Sequence, residues 1–148
     1  MPRTEDPPFS GTFTVHANGI ELGSFAEVSG LSVKIETEDL VEGGLNGLRW
    51  HLPKGMSWPN IVLKRGLTKQ DSLMTWLKES SGDPMIGGQP LALRAVTISL
   101  MDVTRQTYRS WALDRAYPIR WSGPRLAAST RDVATEELEL AHHGFTAT

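Results

Sequence analysis

The stretch from Phe13 to Phe25, FTVHANGIELGSF, decides the fold. Apolar residues alternate with other residues on both sides of Asn18-Gly19. That dipeptide accepts positive φ at both central positions of a two-residue turn, and two alternating runs around it are the strongest short signal for a β-hairpin. The sequence therefore predicts that the folded part of the chain begins with two antiparallel strands.

Signals for further β-strands continue toward the C-terminus. In LSVKIETEDLVEG, the alternation from Leu31 to Ile35 predicts a third strand with one buried face, or a continuation of the second strand through a bulge. NIVLKRG and VATEELELAHHGF read as strands, and between them lie a strand, a turn around Asp102, a strand, a bend near Asp114 and a strand ending at Trp121. Many short strands favour an antiparallel β-barrel or a rolled β-sandwich, because closure hides strand edges.

A single helix is predicted within LTKQDSLMTWLKESSG. Thr68 can cap its N-terminus, Leu73 and Trp76 follow at helical spacing, and Gly82 can end it. We expect this helix to plug an open end of the sheet. Trp76 and, on a later strand, Trp111 are predicted to lie in the core, because both belong to regular periodic elements.

Composition limits the classes of protein to which the chain can belong. Its 148 residues predict one β-barrel domain, which we place at residues 9–148, behind a flexible N-terminal arm at residues 1–8. The apolar runs are too short to cross a bilayer, and MPRTEDPPFSG does not resemble a signal peptide, so we expect synthesis in the cytoplasm. A formal net charge of -2 argues against a dedicated nucleic-acid binder.

No cluster of side chains points to catalysis or to a cofactor. The chain has no cysteine, and the consecutive His142 and His143 point to opposite faces of a strand, which disfavours a shared metal ion. The acidic run from Glu36 to Glu42 is interpreted as a solvated strand face, and the Gly-rich segments lack the spacing of phosphate-binding loops. We therefore expect no enzyme activity, no metal site and no cofactor.

VEGGLNGLRWHLPKGMSWPN, from Val41 to Asn60, combines Gly and Pro with large apolar residues. The breakers predict a long loop in which neither a helix nor a long regular strand can form. Apolar side chains in such a loop need cover, and two arrangements remain open. Trp50 and Trp58 either fold back onto the barrel or dock onto another subunit.

Six ordered segments resemble one family. FAEVSGLSVKIETEDLVEGG, LPKGMSWPNIVLKRGLT, a Trp-containing helix, ISLMD, RSWALDRAYPIRWSGPRLAA and VATEELELAHHGF are similar to T4-like phage tail-tube proteins and their relatives in extracellular contractile injection systems. The resemblance runs from about Phe9 to Phe145. It implies a structural protein whose barrels join into hexameric rings, which stack into a hollow inner tube. It also implies a surrounding sheath whose contraction drives the tube through a target envelope.

Partners and contact residues are implied by the same resemblance. Carried onto this chain, the long loop would contact an adjacent ring or subunit through Leu45, Leu48, Trp50, Leu52, Met56 and Trp58. Sheath, baseplate and spike proteins would be further partners, with a protein or DNA cargo in the lumen of a cytoplasmic or released particle. Either the strand face from Lys34 to Glu38 or the face with Thr97 and Ser99 would line that lumen.

Two other interpretations remain open. A tube-initiator paralogue would share the fold but would stop at one ring, beside the spike or baseplate. A monomeric β-barrel that binds a small ligand would use the apolar loop as a lid over the barrel mouth. The three interpretations differ in assembly: a tube subunit forms stacks of rings, an initiator forms one ring, and a ligand-binding barrel stays monomeric.

Overall fold

Antiparallel β-strands dominate the computed structural model, which describes residues 11–41, 49–69, 72–80, 93–124 and 133–148. These residues contain one helix, α1 at Ser72–Glu79, and ten strands. The strands are β1 (Thr12–Ala17), β2 (Ile20–Phe25), β3 (Glu27–Ser29), β4 (Lys34–Val41), β5 (Arg49–Ser57), β6 (Ile61–Gly66), β7 (Arg94–Met101), β8 (Thr107–Ser122), β9 (Thr135–Ala141) and β10 (Phe145–Ala147). The predicted mainly β fold is confirmed, whereas the predicted arm at residues 1–8 lies outside the described residues.

The β1–β2 hairpin forms as its turn residues predict. Asn18 and Gly19 have φ angles of 51° and 78°. Across the turn, Ala17 pairs with Ile20. The turn is also fixed to β7, because the Asn18 N–H donates to the Ala95 carbonyl at 2.9 Å and the Ala95 N–H donates to Asn18 Oδ1 at 3.1 Å. The hairpin prediction is therefore confirmed.

The main sheet rolls up until its two ends meet. Its strand order is β2-β1-β7-β8-β9-β6-β3, with β10 beside β8. β2 and β3 stand at opposite ends of this order, yet only Ala26 separates them along the chain. The Ala26 N–H donates to the Lys64 carbonyl on β6 at 2.9 Å. The sheet thus closes on itself, in agreement with the predicted antiparallel barrel.

β8 carries the chain from one half of the barrel to the other. It pairs with β7 over Thr107 to Ala116 and with β9 over Tyr117 to Ser122. Arg115 has a φ of 45°, which bends the strand where it changes partner. The bend predicted near Asp114 is present, but the segment is one continuous strand and not two, because pairing passes directly from β7 to β9.

One hydrophobic core fills the barrel and includes α1, which packs against β8. The fully buried apolar side chains are Val15, Ala17, Leu22, Phe25, Ile61, Leu63, Leu73, Trp76, Val96, Ile98, Leu113, Ala116, Leu138 and Leu140. Trp111 is partly buried against them, so the core positions predicted for Trp76 and Trp111 are confirmed.

The helix begins at Ser72, four residues after the predicted cap Thr68, and the predicted stop at Gly82 lies outside the described residues.

A buried ion pair joins strands at the seam where the barrel closes. Arg65 on β6 donates from Nε to Oε1 of Glu136 on β9 at 2.6 Å, and the two side chains are only 4% and 5% exposed. Arg65 Nη1 also donates to the Leu22 carbonyl on β2 at 2.8 Å, and its guanidinium lies 4.8 Å from the centre of the Phe25 ring. Glu136 accepts a second hydrogen bond, from Trp121 Nε1 at 3.2 Å. The Arg65 side chain thereby links β6 to β2, which are not neighbours in the strand order.

Candidate assembly surfaces

β4 and β5 form a two-stranded arm that pairs with no other strand in the described part of the chain. Its register runs from Lys34 opposite Ser57 to Val41 opposite Arg49. Every residue of both strands is exposed, and we call residues 34–41 and 49–57 the hairpin arm. Because an isolated two-stranded hairpin is only marginally stable in water, this arm is suited to contacts outside its own chain.

The sequence prediction of a loop without a long regular strand is wrong, because Arg49–Ser57 is a nine-residue strand. The register of the arm shifts between Glu36 and Thr37, where β5 contributes one extra residue. Pro53 and Gly55 fit into β5 because, among the described strands, it has a neighbour on one side only, and because the bulge absorbs the irregular backbone. Residues that usually break strands therefore do not break this one.

The predicted buried face of the third strand is also wrong. Val33 and Ile35 are 47% and 54% exposed, while Leu31 is partly buried against the core. Alternation correctly indicated a strand, but it did not reveal what the strand packs against. β4 leaves the barrel after Gly30, which has a φ of 91°, and pairs with β5 instead.

Large apolar side chains lie on both faces of the hairpin arm. Leu40 pairs directly with Trp50, and Leu52 lies two residues further along the same face, with exposures of 50%, 50% and 43%. Near the base of the arm, Ile35 pairs with Met56. Exposed apolar clusters of this kind mark interaction surfaces. Trp50, Leu52 and Met56 are three of the six predicted contact residues, and they are exposed where a neighbouring subunit could bind.

The other three predicted contact residues lie elsewhere. Leu45 and Leu48 are outside the described residues. Trp58 follows the arm and is partly buried, with its ring centre 5.1 Å from that of Phe145 and 6.0 Å from that of His142 in edge contacts. Trp58 thus folds back onto the barrel, which is one of the two arrangements that the sequence left open, whereas the other tryptophan of the stretch is exposed.

His142 and His143 have separate backbone partners. His142 Nδ1 accepts the Gly144 N–H at 3.1 Å, so its Nε2–H donates to the Pro59 carbonyl at 3.0 Å. His143 Nδ1 donates to the Arg115 carbonyl at 3.0 Å. No group of three or more His, Asp and Glu side chains that could hold a metal ion occurs in the described part of the chain. The structure gives His142 a bridging position between the end of β9 and the segment before β6.

The acidic residues of β4 are solvated, as the sequence predicted. Glu36, Glu38 and Asp39 are all exposed. Lys34 Nζ lies 3.8 Å from a Glu36 oxygen, and His51 Nδ1 lies 2.7 Å from a carboxylate oxygen of Asp39. Exposed pairs of this kind contribute little stability, so these charges help to keep the arm hydrated and do not hold it in place.

The outward surface of β6, β9 and the second half of β8 carries an ion-pair network, which we call the charged face. Glu137 lies 3.5 Å from Lys64 and 3.7 Å from Arg120, and Arg120 Nε donates to Glu139 at 2.9 Å. Asn60 Nδ2 also donates to Glu139, at 3.2 Å. The hydrogen bonds from Arg120 and Asn60 hold the pKa of Glu139 below its ordinary value of 4.5.

Glu139→Gln is expected to weaken the acid dependence of stability. Because the folded-state pKa of Glu139 is lowered, its contribution is present above about pH 4.5 and is lost as the pH falls through the folded pKa. Urea unfolding of the unassembled subunit between about pH 7 and about pH 3 should show a smaller decline in the free energy of unfolding for E139Q than for the wild type. Glu36→Gln on the hairpin arm is the matched control. An equal decline in E139Q and the wild type would contradict this role of Glu139.

No helix among the described residues is both long and apolar enough to cross a membrane.

Three comparisons relate the chain to known proteins. No curated protein sequence matches it. A chain in the cryo-EM structure of an extracellular contractile injection system, the PVC sheath-tube complex in the extended state, has a TM-score of 0.81 and 22% identity, covering 98% of this chain and 93% of that one. A chain in the 6-fold symmetrised baseplate of the anti-feeding prophage has a TM-score of 0.77 and 22% identity, covering 99% and 97%. Hcp1 from Flavobacterium johnsoniae is more distant, with a TM-score of 0.55 and 10% identity over 92% and 94%.

These solved structures show a shared fold. The family model described as T4-like virus tail tube protein gp19 matches residues 10–146, which is nearly the whole chain. The resemblance found in the sequence is therefore confirmed by an independent match over the same span. This chain belongs to the T4-like virus tail tube protein family, a family of structural proteins.

Proposed function

We propose that this protein is the inner tube subunit of a contractile tail or contractile injection particle. In this proposal, hexameric rings of the chain stack into a hollow tube that sheath contraction drives through a target envelope. The role is structural and does not involve catalysis. Family membership supports the tube, and the similar chain in a PVC sheath-tube complex supports its place inside a sheath.

The hairpin arm is the observation that carries this proposal. It extends from the barrel as an isolated ribbon with apolar side chains on both faces, and a ribbon of that kind needs cover to be stable. Contact with a neighbouring subunit supplies that cover. In this proposal the arm binds a patch of the neighbour other than the neighbour's own arm, which makes the contact heterologous, and heterologous contacts generate rings or filaments.

Under this proposal, Trp50, Leu52 and Met56 contact a neighbouring subunit or ring. Leu45 and Leu48, from the same stretch of sequence, are proposed to extend that contact. Trp58 has a supporting role instead, because its packing against Phe145 anchors the base of the arm to the barrel. The exposure of both arm faces also argues against a lid, since a lid over a ligand site would bury one face.

The proposed partners follow from the particle. A sheath protein surrounds the tube, baseplate and spike proteins hold its end, and a protein or nucleic-acid cargo occupies its lumen. The chain is made in the cytoplasm and becomes part of an assembled or released particle. The similar chain in the anti-feeding prophage baseplate supports a contact with the baseplate end of the tube.

A tube initiator is the second candidate, and the similar chain in a baseplate is the observation that favours it. An initiator would use the same barrel and arm but would form a single ring, which adapts the spike to the first tube ring. The two candidates differ in whether one ring accepts another. Unlimited stacking supports the main tube subunit, and isolated rings support the initiator.

Electron microscopy tests the proposal directly. Negative staining of the purified chain, with light scattering over a concentration series, is expected to show six-fold rings and stacked hollow tubes with a central channel. Co-expression with the cognate baseplate provides a template if nucleation is slow. A strictly monomeric chain under both conditions would overturn the tube role.

A further inference from the structure

Outside the hairpin arm, the barrel has two outward surfaces of contrasting chemistry. One is the charged face. The other lies on β2, β1, β7, the first half of β8 and β10 with the adjoining Thr148, where one row of side chains crosses all five segments. Strand register places Ser24, Thr14, Ser99, Ser110 and Thr148 side by side in this row. All five are hydroxyl residues, and the Oγ atoms of Ser99 and Ser110 lie 3.0 Å apart.

The next row across the same strands is also poor in charge. It contains Glu21, His16, Thr97, Ala112 and Thr146. Directly paired residues point to the same side of a sheet, and the two rows are two residues apart along β7 and β8. Both rows therefore lie on one surface, which we call the hydroxyl face. The opposite surface of these strands is the buried core. Seven of these ten neighbouring positions carry a hydroxyl group, and the other three are Ala112, His16 and Glu21, the one side-chain carboxylate of the two rows.

Among the described residues, charged groups of both signs border this surface. Arg105, from the turn between β7 and β8, borders a hollow of about 580 Å³ together with Thr14, His16, Glu21 and Ser24. Arg105 and Glu21 stand at one margin of the hydroxyl face and balance one another in formal charge. At another margin, Asp114 lines a hollow with Ala112 and Thr146, and it accepts a hydrogen bond from Arg115 Nε at 3.1 Å, so these two charges also balance. The interior of the face carries neither lysine nor arginine, in contrast to the ion-pair network of the charged face.

We propose that the hydroxyl face lines the channel of the tube and that its neutrality suits polypeptide cargo carrying charges of both signs. This inference rests on the proposed tube function. In a stack of rings, any charge on the lining is repeated around and along the channel, so a lining of one sign would retain cargo of the opposite sign. Short hydroxyl side chains hold water by hydrogen bonds, create no such field and project little into the channel.

Nucleic acid fits this surface less well. A polyanion passes most freely along a lining of its own sign, because repulsion keeps its phosphates off the wall, and the two rows of the hydroxyl face carry only one carboxylate side chain. The charged face would then point outward, toward the sheath. Of the two predicted alternatives, the proposal therefore adopts the face with Thr97 and Ser99, and not the arm face with Lys34.

The orientation can be tested with single cysteines, because the natural chain has none. Ala112→Cys places a thiol at an exposed position in the hydroxyl face, without disturbing the Ser99–Ser110 hydrogen bond. Ser122→Cys is the matched control, on the same strand but beside Glu137 of the charged face. Each thiol is labelled in free subunits and in tubes, with a small maleimide and with a maleimide carried by a large globular protein.

In tubes, we expect the small reagent to label both variants and the large reagent to label the S122C variant alone. Labelling of A112C tubes by the large reagent, at the rate seen with free subunits, would overturn the orientation. The orientation would also be overturned if, in tubes, the large reagent failed to label S122C but labelled A112C. If the wild-type chain formed no tubes even with the baseplate template, the tube function itself would fail, which is a different result.

The choice of cargo is tested with a fluorophore on the A112C thiol inside tubes. Basic and acidic peptides of equal length, each carrying a quencher, are added to these tubes. The extent to which they quench the fluorophore is expected to differ by no more than about two-fold and to depend little on salt concentration. A quencher-labelled oligonucleotide should quench no better than the acidic peptide. A preference of about ten-fold for one sign of charge, or strong salt-dependent retention of the oligonucleotide, would overturn the assignment to polypeptide cargo.

Discussion

Replacing Arg65 by methionine is expected to lower the free energy of unfolding of the subunit by about 3–5 kcal/mol, the cost of leaving one partner of a buried ion pair uncompensated. The substitution leaves the Glu136 carboxylate almost fully buried, with the Trp121 indole as its remaining hydrogen-bond partner among the described residues. It also removes the hydrogen bond to the Leu22 carbonyl that links β6 to β2. Urea unfolding of the unassembled subunit measures the loss.

A double-mutant cycle separates the ion pair from simple loss of packing. Glu136→Gln is expected to be destabilising by a similar amount, because it leaves the Arg65 guanidinium buried without a counter-ion. R65M/E136Q should lose less than the sum of the two single variants, since no buried charge remains. If the losses in the free energy of unfolding were additive, packing alone would hold the seam. The same would follow if each single variant lost less than about 1 kcal/mol, as is usual at an exposed ion pair.

Replacing Trp50 and Leu52 together by serine is expected to abolish tube assembly and to leave the fold of the subunit intact. If each side chain is buried against a neighbour, the two changes remove about 3 kcal/mol or more per contact, which corresponds to a roughly hundred-fold higher concentration for assembly. Each subunit repeats the contact, so the effect accumulates along the tube. Light scattering and electron microscopy measure assembly, and urea unfolding measures stability.

Two controls make this prediction specific to the hairpin arm. Trp58→Ser should lower the free energy of unfolding by about 2 kcal/mol, because Trp58 packs against Phe145 within its own subunit. Val103→Ser changes an exposed apolar residue off the arm, 77% accessible, and should change neither quantity. If W50S/L52S unfolded the subunit, or if V103S reduced assembly as strongly, the arm would not be the assembly surface.

Several features of the fold could be predicted because they depend on short-range chemistry. Asn18-Gly19 specifies a tight turn through its backbone preferences alone, and the alternation around it specifies the two strands. The helix containing Trp76 follows from helical periodicity in the same way. These signals are readable because a turn, a strand or a helical turn is defined by residues close together along the chain.

The hairpin arm shows where such signals failed. Pro53 and Gly55 are strand breakers in a central strand. In the part of the chain that the structure describes, β5 pairs only with β4, so the same residues are compatible with it. The alternation at Val33 and Ile35 indicated a strand and was wrongly extended to a buried face. Local pattern cannot report the number of neighbours that a strand acquires, because those neighbours come from distant parts of the chain.

The ion pair at the seam shows a signal that was present and was missed. Arg65 follows Ile61 and Leu63 at alternate positions, and Glu136 precedes Leu138 in the same manner, so each charge occupies an inward position of an aliphatic strand. Strand register places Arg65 directly opposite Glu136. A charge at an inward position predicts a buried partner, but the identity of that partner required the pairing of β6 with β9.

By itself, the sequence determined an antiparallel β-barrel with one helix and membership of a tail tube family, because turn chemistry, residue periodicity and ordered family segments are all written along the chain. Only the tertiary structure decided that Trp58 packs on the barrel while Trp50 is exposed, and that hydroxyl residues from four strands and from the end of a fifth share one surface. The physical reason is that burial and surface chemistry depend on which distant strands pair and in which register. Those pairings are set by the closure of the whole barrel.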